Sequence, residues 1–107
     1  MNKSIVTDYQ QISAFSGRQS ECIHHLIFGT SMRKLADEDG LYIPLTNEEH
    51  NMSPIGTIYQ IHGNPAAEKL SKMLGQVAWE KHQIAQTGCT EGEARRRFMS
   101  RYGKSYL

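Results

Sequence analysis

The feature that most constrains the fold is a strong helix signal in the second half of the chain. Asn64 is a favourable N-cap residue, and Pro65 suits the first helical position because the N–H it lacks would be unpaired there. The apolar residues that follow recur at the spacing of one helix face. They are Ala66, Ala67, Leu70, Met73, Leu74, Val77 and Ala78. The pattern predicts a long amphipathic helix with this face buried.

A second helix is predicted near the end of the chain. Thr90 and Glu93 form a T-x-x-E capping box, in which each side chain pairs with the backbone N–H of the other residue. Ala94 and Phe98 would face the core, and Gly103 marks the stop. A chain of 107 residues has room for one modest core, so we expect a single domain over residues 1–107.

The first half of the chain carries strand signals instead. Residues 4–9 (SIVTDY) and 22–28 (CIHHLIF) are rich in β-branched and aromatic side chains. Residues 41–45 (LYIPL) are also strand-like, although Pro44 lacks a backbone donor and restricts this run to a sheet edge. Strands followed by helices predict an α+β fold.

Shorter elements connect these strands and helices. Thr30 or Ser31 can cap a short helix that runs through Ala36, and Gly40 is a suitable stop for it. Residues 46–63 are predicted to form a polar loop, with turn residues such as Pro54 and Gly56 and an apolar patch that starts at Ile58.

The histidines are the candidate metal-binding and catalytic residues. His24 and His25 are adjacent at a predicted strand, and His50 and His62 lie at the two ends of the polar loop. Neutral imidazole is a good ligand for zinc and other first-row divalent ions, and a catalytic site often has three protein ligands and one open position. Neighbouring residues on a strand point to opposite faces, so one member of the pair can bind metal while the other acts as general base.

Positive charge is concentrated at the end of the chain. Residues 1–80 contain six Lys/Arg and nine Asp/Glu, whereas residues 81–107 contain six and two. Phosphate contacts by basic side chains supply much of the affinity for nucleic acids, although a solvated helix face gives the same pattern. The candidate phosphate-binding residues are Arg95, Arg96, Arg97 and Arg101 on the last helix, and Arg33 and Lys34 on the short helix.

Several runs share their order with a known group of enzymes. The segments 24–30 (HHLIFGT), 44–51 (PLTNEEHN) and 62–64 (HGN), with the ending 98–107 (FMSRYGKSYL), resemble small phage and prophage nucleases of the HNH, or His-Me finger, superfamily. The likeness covers roughly residues 20–107. Phage recombination-promoting nucleases are the most similar group, and the His-His pair is also similar to that of colicin-type nuclease domains.

This resemblance implies a ββα-metal core with additional C-terminal helices and metal-dependent cleavage of DNA. It assigns His24, His50 and His62 as metal ligands and His25 as the general base. The implied cofactor is one divalent ion, with zinc as the expected bound metal and magnesium, manganese or nickel as alternatives for activity. The implied partners are single- or double-stranded DNA and recombination proteins of phage or host, in the cytoplasm of a bacterial host. No stretch of the sequence approaches the roughly 18 apolar residues of a membrane span, so we expect no membrane partner. Either a monomer or a homodimer fits.

Two positions depart from the HNH pattern. The central Asn, which steadies the base, has no clear match, and Asn47 and Asn51 are the candidates. His50 and His62 are too far apart for one helical turn, so the chain must loop back to bring them together. If only one of them binds metal, an acidic residue at Glu48 or Glu49 would complete the ligand set.

Other features have simpler interpretations. His82 is expected at the surface, and Trp79 in the core, with base stacking as the alternative for Trp79. Two further functions remain open at this point. The first is a non-catalytic DNA-binding or recombination-accessory module held together by its metal. The second is a protein-interaction subunit that uses the face of the long helix.

Overall fold

A two-stranded antiparallel sheet and three α-helices make up the fold in a computed structural model that describes residues 2–52 and 60–107. The elements in chain order are strand β1 (Cys22–His25), helix α1 (Met32–Asp39), strand β2 (Tyr42–Leu45), a π-helical turn (Glu48–Met52), helix α2 (Pro65–Thr87) and helix α3 (Glu91–Tyr102). The predicted α+β class is confirmed. Among the described residues, no helix is both long and apolar enough to span a membrane.

The register of the sheet places the two strands in full overlap. Cys22 pairs with Leu45, and His25 pairs with Tyr42. Pro44 pairs with Ile23, and its carbonyl accepts a hydrogen bond of 2.9 Å from the backbone N–H of Ala14. The backbone of Pro44 therefore points away from β1, where no N–H is needed, as expected for proline on an edge strand.

The strand predicted at residues 4–9 is wrong. The hydroxyl of Ser4 accepts hydrogen bonds from the backbone N–H of Val6, at 3.1 Å, and of Thr7, at 3.4 Å. Such local bonds from a serine favour a turn over an extended chain. Ser4 also donates to the Tyr42 carbonyl at 2.8 Å, so this segment is anchored beside β2 without extending the sheet.

The strand predicted at residues 22–28 is confirmed only as far as His25. The N–H of Leu26 donates to the Leu41 carbonyl at 2.9 Å, but the chain then turns away, and Gly29 has a φ of +113°. Leu26 and Ile27 are fully buried and contribute to the core from this bend.

Helix α1 is longer than predicted, since it continues past Ala36 to Asp39. Ser31 precedes it with a φ of +71° and makes no capping hydrogen bond with its side chain. Gly40 ends the helix as expected, with a φ of +71°. A Cβ atom at this position would lie 2.2 Å from the Lys3 carbonyl oxygen, so the close approach of the N-terminal segment also requires glycine.

Both long helices begin at the predicted residues. The Asn64 side chain accepts from the backbone N–H of Ala67, and Pro65 occupies the first turn. The capping box of Thr90 and Glu93 is formed, and Gly103 terminates α3. These boundaries follow from short-range hydrogen bonds that the sequence specifies directly.

The predicted buried face of α2 is largely wrong, because only half-buried Ala78 of its residues packs against the main core cluster and none is fully buried. Leu70, Leu74 and Val77 are 63%, 46% and 48% exposed. The buried residues of the helix are Ser71, Gly75, Gln76 and Trp79. Small residues allow closer packing, and a Cβ atom on Gly75 would lie 2.8 Å from the Ile27 side chain. The helix therefore packs through a side made of small and polar residues together with Trp79.

Aromatic side chains join α2 to α3, and Asp39 connects both helices to α1. The rings of Phe98 and Tyr102 are stacked with centroids 4.6 Å apart, and Trp79 meets Phe98 at 5.6 Å. The Trp79 indole donates to the Asp39 carboxylate at 2.9 Å, and the Tyr102 hydroxyl donates to the same group at 2.8 Å. The prediction that Trp79 lies in the core is confirmed.

The polar loop predicted at residues 46–63 is described only at its two ends. The π-helical turn Glu48–Met52 occupies the first part. Residues 53–59, which include Pro54, Gly56 and Ile58, lie outside the described residues. The chain re-enters the described part at Gln60, which is buried.

Candidate metal centre

Three histidines from separate segments meet beside the sheet. His24 belongs to β1, His50 to the π-helical turn, and His62 to the residues just before α2. One ring nitrogen from each lies within 4.8 Å of the other two. Tetrahedral coordination with metal–nitrogen bonds of 2.0–2.1 Å would place the nitrogens about 3.4 Å apart. Small side-chain movements would therefore bring the three imidazoles onto one ion.

Backbone hydrogen bonds hold His62 beside His50. The N–H of Ile61 donates to the Glu49 carbonyl at 2.8 Å, and the N–H of His62 donates to the His50 carbonyl at 3.0 Å. The two imidazole centroids are consequently 4.7 Å apart. His50 and His62 thus lie side by side, as ligands of one metal ion must.

Glu49 anchors the turn that carries His50. Its buried carboxylate accepts from the Ser13 hydroxyl at 2.6 Å and from the Thr46 N–H at 2.8 Å. Burial would raise the pKa of Glu49, but hydrogen bonds from Ser13, Ser16 and Thr46 outweigh burial, and the pKa is lowered. Glu48 pairs instead with Arg18 at 3.7 Å. These contacts give both carboxylates, proposed as substitute ligands, partners outside the three-histidine cluster.

The hydrogen bonds of His24 determine which of its nitrogens is free. The Ser71 hydroxyl donates to the Leu26 carbonyl at 2.8 Å. Because a hydroxyl has one proton, Ser71 must accept from the Nε2–H of His24, 2.7 Å away. The lone pair of His24 is therefore on Nδ1, which is buried and has no hydrogen-bond partner among the described residues. A buried acceptor left unpaired is costly, and a metal ion would satisfy it.

His62 is oriented in a similar way by α2. Its Nδ1 lies 3.2 Å from the Glu68 carboxylate in the first turn of that helix. Donation from Nδ1–H leaves Nε2 as the free nitrogen, and a carboxylate partner of this kind raises the basicity of a metal-binding imidazole. Helix α2 thus positions two of the three histidines, through Ser71 and Glu68.

The surroundings of His24 and His50 favour their neutral forms. Burial, followed by the proximity of His50, His62 and His25, lowers the pKa of His24 from 6.5 to about 3. The pKa of His50 is also lowered, by burial first and then by His62, Arg33 and His25. Because only the neutral ring binds a metal, the cluster is suited to an ion near neutral pH. Nitrogen ligands of this type fit zinc and several other first-row ions.

His25 lies on the opposite face of β1 and has a different partner. Its Nε2 is 2.9 Å from the Asp37 carboxylate in the last turn of α1. The side chain is 11% exposed and lines a surface groove of about 650 Å³ together with Arg33 and Asp37. Donation of Nε2–H to Asp37 leaves Nδ1 as a proton acceptor. Among the described residues, Asp37 rather than Asn47 or Asn51 contacts this ring.

The predicted phosphate-binding residues are distributed unevenly. Arg33 borders the groove beside His25, and Lys34 is exposed on α1. On α3, Arg96 is exposed, but its neighbours have partners within the protein. The partners are Glu80 for Arg95 at 2.7 Å, Thr87 for Arg97 at 3.1 Å, and Asp39 for Arg101 at 2.6 Å. Of the six residues, Arg33 is the one next to the candidate base.

Sequence reasoning missed Ser71, Glu68 and Asp37. Ser71 sits one turn before Gly75, at the edge of the predicted apolar stripe of α2. Acidic residues are common in the first turn of a helix, so Glu68 did not stand out. Asp37 belongs to an acidic run that is typical of a solvated helix. A polar residue among small residues at helical spacing was the available signal for Ser71.

No protein-family model, curated protein or solved structure matches this chain. Membership of the His-Me finger superfamily therefore remains a prediction from the sequence. Function has to be inferred from the positions of the side chains themselves.

Proposed function

We propose that this protein is a metal-dependent endonuclease that hydrolyses DNA phosphodiester bonds, with a ββα-metal core of the HNH type. One observation carries the proposal: the adjacent residues His24 and His25 face two different environments. His24 belongs to a three-imidazole cluster, and His25 is held by Asp37 at the edge of a groove. In the proposed core, β1 and β2 supply the two strands, and α2 is the helix that supports the ligands.

His25 acts as the general base in this scheme. Its Nδ1 takes a proton from a water molecule, whose oxygen attacks the phosphorus while the P–O3′ bond breaks and the 3′-oxygen gains a proton from solvent. Asp37 fixes the tautomer through Nε2–H and stabilises the imidazolium that forms, so it is a positioning residue. Arg33 lines the same groove and binds a phosphate oxygen.

The cluster of His24, His50 and His62 would hold the metal. The nitrogen ligands favour zinc, and an ion held there would supply Lewis-acid stabilisation of the negative charge that develops during cleavage. The resemblance to phage recombination-promoting nucleases supports DNA processing in phage or prophage recombination as the setting.

A second candidate function is a non-catalytic DNA-binding module in which the metal only holds the domain together. The full burial of His24 favours it, since a closed site that joins three segments is typical of a structural metal. The two functions differ in what His25 does, because a structural metal needs no base on the other face of β1.

The test is cleavage of single-stranded and duplex DNA with Zn²⁺, Mn²⁺, Mg²⁺ or Ni²⁺. We expect His25→Ala to lower the rate by about 10²- to 10⁴-fold, the usual contribution of a general base, while metal affinity is unchanged. Asp37→Asn should lower kcat by about tenfold with little change in KM. The base His25 is still present in this variant, but it has lost the carboxylate that orients its ring. His82→Ala, on the remote part of α2, is the matched control and should cleave normally.

Cleavage by the His25→Ala variant at the wild-type rate would exclude the proposed base. If the wild-type protein binds DNA and metal but cuts with none of the four ions, the non-catalytic module is the better description. Both results are interpretable only for folded protein, which circular dichroism of each variant establishes.

A further inference from the structure

Two lysines lie over aromatic rings on the side of α2 that carries the metal cluster. The Lys72 ammonium is 4.7 Å from the centroid of the Phe28 ring and 5.7 Å from that of Tyr106. The Lys104 ammonium is 5.2 Å from the Tyr106 centroid. We call Phe28, Lys72, Tyr106 and Lys104 the lysine–aromatic track.

One end of the track touches the candidate metal ligands. The Phe28 ring meets the His62 ring at 4.7 Å and the His24 ring at 5.6 Å. The other end reaches the C-terminal residues, where the backbone N–H of Tyr106 donates to the buried Gln76 side chain at 2.6 Å. Gln76 also donates to the Ser105 hydroxyl at 3.0 Å, so α2 fixes the position of this end.

The two ammonium groups differ from the arginines of α3 in their partners. Arg95 and Arg101 bind carboxylates of the protein at 2.7 and 2.6 Å. Within residues 2–52 and 60–107, no carboxylate lies within 4.0 Å of the ammonium of Lys72 or Lys104. Their positive charge is therefore available to an external anion.

Alternating rings and ammonium groups match the chemistry of a single nucleic-acid strand. Unpaired bases stack on aromatic rings, and lysines bind the phosphates between them. Because Lys72 contacts both rings, the rings lie about 10 Å apart at most, close enough for nearby bases of one strand to reach both. The flexible stem of a lysine lets its ammonium move to a phosphate while a base takes its place on the ring.

We propose that the lysine–aromatic track binds a single-stranded DNA segment and leads it to the metal cluster. The proposal rests on the nuclease function proposed above and specifies its substrate as DNA with an unpaired stretch beside the cut. Bases in a duplex are stacked on each other and cannot offer their faces to Phe28 or Tyr106, so a blunt duplex gains less from the track.

Binding of a labelled oligo(dT) of about a dozen nucleotides and of a blunt duplex, followed by fluorescence anisotropy over a range of salt concentrations, tests the track. Every protein compared carries His25→Ala, so that the probe is not consumed. Tyr106→Leu should weaken oligo(dT) binding about tenfold, within the range for loss of one stacked base, and duplex binding much less. Tyr9→Leu, at an exposed tyrosine elsewhere, is the control.

The double variant Lys72→Gln and Lys104→Gln tests the phosphate contacts. It should reduce the slope of log affinity against log salt by about 1.4 for the single strand, since each lost contact contributes about 0.7. The control is Lys3→Gln with Lys81→Gln, which removes equal charge. Lys81 follows Lys72 by nine residues, or two and a half helical turns, so it projects from the opposite side of α2.

Equal slopes for the two double variants would overturn the proposal, since general charge would then explain the binding. An unchanged affinity of Tyr106→Leu for oligo(dT), or no binding of oligo(dT) by the parent protein at low salt, would also overturn it. These binding results do not depend on cleavage. Failure of the nuclease function would appear separately, as absence of cutting by the protein with His25 intact.

Discussion

Removal of the Ser71 hydroxyl is the most direct test of the proposed metal centre. This hydroxyl links the Nε2–H of His24 to the Leu26 carbonyl through bonds of 2.7 and 2.8 Å. Ser71→Ala leaves both of those groups without their partner in a site where His24 is fully buried. The proton of the ring can then move to Nδ1, the nitrogen that the metal needs, and binding must first displace it.

The expected loss of metal affinity can be taken from the effect of similar hydrogen-bond partners in other metal sites. Loss of a hydrogen-bond partner of a metal-binding histidine costs about 10- to 100-fold in metal affinity. At 1.4 kcal/mol for each factor of ten, the expected loss is about 1.4–2.8 kcal/mol. The upper part of this range is expected because the bond is short and enclosed.

Competition of the protein with a chromophoric chelator for Zn²⁺ measures this affinity. Ser100→Ala is the control, because it makes the same chemical change on an exposed position of α3. Nitrogen NMR of the imidazoles in the metal-free protein gives a second readout, since it identifies the protonated ring nitrogen of His24. Chemical denaturation of both variants establishes the folded fraction at the assay temperature.

Binding of Zn²⁺ by Ser71→Ala as tight as that of the unaltered protein would refute the proposed role of the Ser71 hydroxyl. A proton found on Nδ1 of His24 by nitrogen NMR, while Ser71 is still present, would refute it as well.

Two further predictions concern stability. The pKa of His24 falls from 6.5 to about 3 on folding, so between these values the unfolded chain binds a proton that the folded protein excludes. The contribution of His24 to the free energy of unfolding of the metal-free protein should therefore be fully present above pH 6.5. It should fall as the pH decreases, by up to about 1.4 kcal/mol per pH unit, as measured by urea titrations. His24→Gln should make this pH dependence less steep, and the control His82→Gln should leave it unchanged. Gly75→Ala should lower the free energy of unfolding by about 1–2 kcal/mol despite better helix propensity, because the new methyl would lie 2.8 Å from Ile27. Gly92→Ala meets nothing closer than 3.6 Å and should leave stability unchanged or raise it by about 0.5 kcal/mol; a loss at Gly92 as large as at Gly75 would contradict this packing argument.

The elements that could be predicted from sequence are those specified by short-range bonds. Asn64 with Pro65, and Thr90 with Glu93, determined where α2 and α3 begin, because a cap satisfies backbone groups within one turn. The strand expected at residues 4–9 failed for a related reason, since the Ser4 hydroxyl competes for the same backbone groups.

The orientation of α2 could not be predicted in this way. Periodicity identifies an apolar stripe, but it does not tell whether the domain packs on that stripe or on the small residues beside it. Gly75 allows the bend at Ile27 to approach closely, and this packing leaves Leu70 and Leu74 at the surface. The four histidines were evident from residue type and order, whereas their partners Ser71 and Asp37 depend on contacts between distant segments.

The register of β1 against β2 determines which face of the sheet each of the two histidines occupies. Side chains alternate along a strand, so a shift of β1 by one residue relative to β2 would turn His24 toward the groove and His25 toward the cluster. Neither ring would then find the partner that fixes its tautomer, although every residue would still be present. Insertion or deletion of a single residue within β1 is therefore a more severe change than many substitutions. An insertion of two residues is milder than an insertion of one, because it returns each histidine to its original face.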